Sequence, residues 1–197
     1  MSGLIGAAVP AMATTAADEA AYGRHHAEIS TDLRVGQTAL TLPDVKLIRD
    51  DGARVRFLAE VDDGRPVVLS FIFTTCSTIC PTITQTLAQF QESLGPSAAK
   101  GVHMMSISLD PEQDTVARLH EYARKFSAGP QWQHYTGTLD ASVTIQRAFA
   151  VYRTDKMNHS PVFFIRPAPG KPWTRLDGFA TVSDLLSQYR QLVASTH

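Results

Sequence analysis

The chain has 197 residues and a formal net charge of -1, so it carries no general basic field and no nucleic-acid partner is expected. A hydrophobic fraction of 44% and a charged fraction of 19% are those of an ordinary globular protein, and the length is enough to bury a core without disulfide staples. Its two cysteines are too few for a disulfide scaffold, so their close spacing points to chemistry.

Residues 1–30 read as a leader or disordered N-terminal segment. LIGAAVPAMA (4–13) is an apolar run about half as long as a membrane span needs. Ala11-Met12-Ala13 has the small-x-small pattern of a signal-peptidase site, but no basic residue precedes Arg24. An export-signal remnant and an Ala/Thr-rich leader are both open readings, and His25 and His26 are expected to be exposed.

Residues 31–197 read as one domain. LTLPDVKLIRDDGARVRFL (40–58) gives two strands around a turn at Asp50-Asp51-Gly52. PVVLSFIF (66–73) is a continuous apolar run, as in a buried central strand. Ile83, Leu87, Phe90 and Leu94 then keep helical spacing, with Pro81 near the helix start. VHMMSISL (102–109) is a second buried strand, followed by a helix carrying Val116, Leu119, Ala123 and Phe126. A further helix carries Ile145, Ala148, Phe149 and Tyr152. PVFFIRP (161–167) and WTRLDGF (173–179) flank a Pro/Gly turn and predict an antiparallel hairpin. The last helix presents Val182, Leu185, Leu186, Tyr189 and Leu192 on one face, with Thr181 and Asp184 as a capping pair. The order β-α-β-α-(α)-β-β-α predicts an α/β, thioredoxin-like fold: a central mixed sheet flanked by helices, with an N-terminal β-hairpin extension. The loop TTCSTICPT (74–82) then lies at the carboxyl edge of the sheet, where α/β folds place their sites.

Cys76 and Cys80 are separated by three residues. A helix start favours thiolate, the form that attacks disulfides and binds metals. If both sit on one helical turn, their Cβ atoms are roughly 5–6 Å apart. An unstrained disulfide wants about 3.8 Å. The spacing therefore leans towards a soft metal ion without excluding redox chemistry. A soft dithiolate suits Cu(I), and an imidazole helps the oxidised ion. Of the histidines, His103 falls in a buried strand, His120 on a helix, His134 in a short polar strand or loop, and His197 at the terminus. These are expected to pack or face solvent. His159, in DKMNHSP just before the strand at Pro161, is on the loop that faces the dithiol in this fold. A structural zinc site lacks a second Cys/His pair. A peroxiredoxin-like site lacks the proline seven residues before either thiol, where Leu69 and Phe73 stand. Asp110 and Asp114 suit a strand-to-helix turn and a helix N-terminus, so capping is expected of them. Met157 reads as an exposed loop residue.

FIFTTCSTICPT (71–82), SLDPEQDT (108–115), LHEYARKF (119–126), YTGTLD (135–140) and NHSPVFFI (158–165) stand in this order, and with them the chain resembles the Sco/SenC family. These are thioredoxin-like copper chaperones for the dinuclear copper centre of cytochrome c oxidase. The resemblance implies one copper ion, Cu(I) or Cu(II), held by Cys76, Cys80 and His159. It implies a copper-accepting partner such as an oxidase subunit, a copper donor protein, and work at the periplasmic or extracytoplasmic face of the bacterial inner membrane, with residues 1–20 the remnant of an export signal or of a membrane anchor lost with the N-terminus. A monomer is expected. Some members act as thiol-disulfide reductases, which would make Cys76 and Cys80 catalytic. A copper- or redox-responsive signalling role is a third reading. The chain departs from the family pattern at Asn158, where an acidic residue is common, at Asp155-Lys156, where no aromatic stands, and at Ser77-Thr78-Ile79 between the thiols.

Overall fold

The computed structural model describes residues 33–196. The leader expected over residues 1–30, with His25 and His26, lies outside the described residues, as does His197.

PVVLSFIF forms β4 (Val67–Ile72), buried along its whole length. Its neighbour β5 (His103–Ser108), also buried throughout, runs parallel to it, from Val67 opposite His103 to Ile72 opposite Ser108. Strands covered on both faces carry unbroken apolar runs, which is why these two were legible. On the far side of β4 comes β7 (Val162–Arg166), antiparallel to it, then β8 (Trp173–Asp177) and β1 (Arg34–Thr38). Beyond β5 lie the parallel strand β6 (Trp132–Gly137) and the hairpin of β2 (Lys46–Arg49) and β3 (Arg54–Arg56). Together they make one mixed eight-stranded sheet in the order β1-β8-β7-β4-β5-β6-β2-β3.

Five helices accompany the sheet among the described residues: α1 (Phe57–Val61), α2 (Ile79–Ala99), α3 (Val116–Lys125), α4 (Leu139–Ala148) and α5 (Val182–Ala194). Ile83, Leu87 and Phe90 of α2 and Leu185 and Tyr189 of α5 pack in one buried cluster with Val68, Met104 and Phe163 of the sheet. Gly95, at φ 73, interrupts α2. The other cluster gathers Phe57, Phe71, Phe149, Phe164 and Trp173. There Phe149 meets the other four rings edge-on at 4.8–6.2 Å, geometry that adds about 0.5–1.5 kcal/mol per pair beyond area burial. Thr181 and Asp184 form the expected capping box on α5. No helix among the described residues is long and apolar enough to cross a membrane.

Four details differ from the sequence reading. β1, RVGQT, is mostly exposed, so it lacks an apolar pattern; pairing with β8 makes it a strand. β6, WQHYTG, is a buried strand despite its polar residues. Residues 57–58 start a short helix rather than extending a strand. Finally, α4 stops at Ala148, leaving Tyr152 outside it. Ala150 takes a left-handed φ of 54, its N–H donates to Arg147 O, and Val151 N–H donates to Gln146 O. That is the Schellman pattern of helix termination. The early stop lengthens the connection that carries His159.

Candidate metal centre

The sheet register brings the two halves of the site together. β4 and β7 pair as far as Ser70 opposite Phe163, and continuing that register sets His159 opposite Thr74. The end of β4 thus delivers the dithiol loop beside the segment entering β7. The ligand atoms of Cys76, Cys80 and His159 all lie within 4.8 Å of one another, the only such group among the described residues. Metal–thiolate bonds of about 2.3 Å, as in zinc sites, span up to roughly 4.6 Å across one ion, within a few tenths of an ångström of the donor separation.

Each donor is held. Cys76 precedes α2 rather than sharing a helical turn with Cys80, which corrects the expected helical geometry of the pair. Its Sγ accepts the Cys80 N–H at 3.4 Å, while its own N–H donates to Phe73 O. Burial works against the Cys76 thiolate, but hydrogen bonds from the Cys80 and Thr78 backbone at the helix start outweigh it, and the pKa falls below the ordinary thiol value. Cys80 moves the opposite way. Burial pushes its pKa well up, and the Phe73 N–H, at 3.4 Å, only partly opposes this. The two thiols are therefore shifted in opposite directions.

His159 is 8% exposed. It follows a 3-10 turn, Lys156–Asn158, whose start is capped by Asp155. Its Nδ1 donates to Lys156 O at 2.8 Å, which fixes the tautomer and leaves Nε2 as an acceptor 3.3 Å from Cys80 Sγ. Burial lowers its pKa, so the imidazole is neutral at pH 7, as a ligand must be. The Phe73 ring stands edge-on to it, 5.1 Å away. Orientation of one ring nitrogen by a carbonyl is the usual second contact of a metal-ligating histidine.

The other described histidines stay apart from this group, as expected. His103 bonds Tyr135 and the Glu60 carbonyl, His120 is exposed, and His134 is buried in β6. Met157 is 59% exposed. Asp110 and Asp114 are not the caps they were expected to be. Thr115 caps α3, accepting from Arg118 N. Asp114, 0% exposed, instead accepts from the Thr74 N–H, the Thr74 hydroxyl and the Ser108 hydroxyl. Asp110 pairs with Lys156 at 2.5 Å. Thr74, Phe73 and Lys156 were also missed as site residues. The Asp before a capping Thr was the one signal that could have marked an inward carboxylate.

Beside the dithiol loop runs an open groove lined by Thr74, Thr75, Arg118, Glu121, Tyr122 and Lys125.

The SCO1/SenC family model matches residues 36–194. "Protein SCO1 homolog 1, mitochondrial" of Arabidopsis thaliana is 35% identical over 117 residues, 59% of this chain and 34% of the relative. The chain thus spans about a third of that curated relative's length. The solved structure of Arabidopsis thaliana ScoI with copper bound aligns at a TM-score of 0.65 and 28% identity, over 78% of this chain and 98% of that one. BsSco, described as a member of the Sco family of cytochrome c oxidase assembly proteins with a disulfide switch, aligns at 0.65 and 22%, over 78% and 94%, a likeness of fold. With the family model covering nearly all of the sheet and both arms of the site, the chain belongs to the SCO1/SenC family.

Proposed function

We propose that this protein is a copper metallochaperone that binds one copper ion through Cys76, Cys80 and His159 and delivers it to the dinuclear copper site of a cytochrome c oxidase or another extracytoplasmic copper enzyme. The observation that carries the reading is the convergence of two sulfurs and a neutral imidazole nitrogen within 4.8 Å, with the imidazole tautomer already set for ligation. Two soft sulfurs and one nitrogen suit Cu(I), and the nitrogen extends the set to Cu(II). The copper-bound Arabidopsis relative supports this choice of metal. Copper is cargo here. Cys76, whose thiol ionises most readily, would take it first and release it last to a partner thiolate docked in the neighbouring groove. Work outside the cytoplasm, a copper donor and a monomeric chain belong to the same proposal.

The test is Cu(I) titration of the reduced protein beside Cys76→Ser and His159→Ala. One equivalent bound by wild type and weakened in both variants supports the site. Stoichiometric binding that survives both removes it.

The opposed shifts of the two thiols favour a second reading, a thiol-disulfide reductase for a partner's copper-ligand cysteines. The Cys76 thiolate attacks the partner disulfide, forms a mixed disulfide and frees one partner thiolate. Cys80 then gives its proton to His159 Nε2 and attacks Cys76 Sγ, freeing the second. Two electrons pass to the partner, two protons follow, and a Cys76–Cys80 disulfide remains. Because His159 touches Cys80, loss of activity in His159→Ala does not separate the readings. Turnover on a disulfide substrate in metal-free buffer does: brisk turnover supports the reductase, and its absence leaves the chaperone alone.

A further inference from the structure

The segment Leu109–Thr115 joins β5 to α3 and supplies no metal ligand, yet it carries two buried carboxylates. Asp114 is 0% exposed and Asp110 is 6% exposed. Burying carboxylates is costly unless they are paired, and neither caps the following helix, which Thr115 does. Their partners reveal the purpose. Asp114 accepts the Thr74 N–H at 3.0 Å and the Thr74 hydroxyl at 2.6 Å. Thr74 is two residues before Cys76, so Asp114 holds the root of the dithiol loop. Asp110 pairs with Lys156 Nζ at 2.5 Å. Lys156 is the residue whose carbonyl accepts both the His159 Nδ1–H and the His159 backbone N–H, so Asp110 holds the root of the histidine loop. Lys156 Nζ also lies over the Phe73 ring at 5.7 Å. Ser108 ties the Asp114 carboxylate to the Asp110 backbone: its hydroxyl donates to Asp114 and accepts the Asp110 N–H.

We propose that Asp110 and Asp114 are the positioning residues of the centre: one segment brackets both loops, Asp114 through Thr74 and Asp110 through Lys156, and so sets the gap between the dithiol and the imidazole. This rests on the copper-site reading for its ligand, but the bracketing itself holds in the metal-free protein. Outer contacts of this kind change metal affinity by about 10–100-fold. The Lys156 side chain is 40% exposed, so Lys156→Met breaks the histidine bracket without threatening the core.

The experiment measures Cu(I) affinity by competition with a chromogenic chelator. It also follows the His159 ring resonances of the reduced, metal-free protein by NMR and the Cys76 alkylation rate. Lys156→Met and Asp110→Asn should each weaken copper binding about tenfold or more. The double variant should lose no more than either, and Lys156→Arg should restore most of the loss. In both single variants the His159 resonances should shift or broaden while Cys76 alkylates as in wild type. Asp114→Asn should change the Cys76 rate, and Thr74→Val does the same job if Asp114→Asn fails to fold. Unchanged His159 resonances in Lys156→Met, or additive losses in the double variant, overturn the histidine bracket. An unchanged Cys76 rate in Thr74→Val overturns the dithiol bracket. If wild type binds no copper the function reading fails, and the NMR and alkylation results still decide this one.

Discussion

His159 and His134 are both buried imidazoles, and they differ in what their ring nitrogens meet. His159 ends a short turn at the carboxyl edge of the sheet, with one ring nitrogen on Lys156 O and the other on Cys80 Sγ. His134 sits within β6, 0% exposed, stacked on Trp132 at 5.2 Å. Neither of its ring nitrogens has a hydrogen-bond partner among the described protein groups. Burial therefore does not make a histidine a ligand. In the proposed copper site it is the fixed tautomer and the facing sulfur that suit His159 to ligation.

The widest separation of the two is in copper binding. His159→Ala removes one of three donors and should weaken Cu(I) binding by more than about a hundredfold, beyond the loss of an outer contact. His134→Leu should leave affinity within about twofold, because the ring touches no ligand. A chelator competition reads both, and equal losses would erase the contrast.

Stability against pH separates them next. Burial lowers the His134 pKa to about 3, against about 6.5 in an unfolded chain. Between those values the unfolded state binds a proton that the folded state refuses, so stability rises with pH and falls as pH drops from about 6.5 towards 3. From pH 7 to pH 5 the loss is about 2 kcal/mol. Urea denaturation of the reduced, metal-free protein should show it. His134→Leu should flatten the slope and cost little at pH 7, since it also removes buried polar atoms. The remainder comes from His103 and His159, whose pKa values burial lowers in the same direction. An unchanged slope in His134→Leu would place the effect elsewhere.

The smallest effect is within the dithiol that His159 faces. Cys76, held by the N–H groups at the helix start, should alkylate about tenfold or more faster than Cys80 at neutral pH. In His159→Ala, Cys80 should slow further, since it loses its proton acceptor. Mass spectrometry of partly alkylated protein gives the ratio, and equal rates would remove the asymmetry between the thiols.

The legible parts of the sequence were those whose signal is local. β4 and β5 announce themselves as apolar runs, α5 carries its cap in Thr181 and Asp184, and the two cysteines stand four residues apart. His159 needed the fold, because the antiparallel pairing of β4 and β7 is what brings the segment before β7 to the dithiol loop. β6 and Asp114 were obscured for the same physical reason. WQHYTG hides a core strand because His134 and Thr136 are buried without an apolar pattern. Asp114 looks like a cap until the structure shows its carboxylate turned inward to Thr74. Polar residues that serve the interior look like surface in a sequence, since their partners are distant along the chain.

The most direct test of the account is copper K-edge X-ray absorption on the protein loaded with one equivalent of Cu(I), beside His159→Ala. The account predicts two sulfur donors and one nitrogen donor in wild type, with the nitrogen lost in the variant. A wild-type spectrum without sulfur, or a nitrogen contribution that persists in His159→Ala, would contradict it.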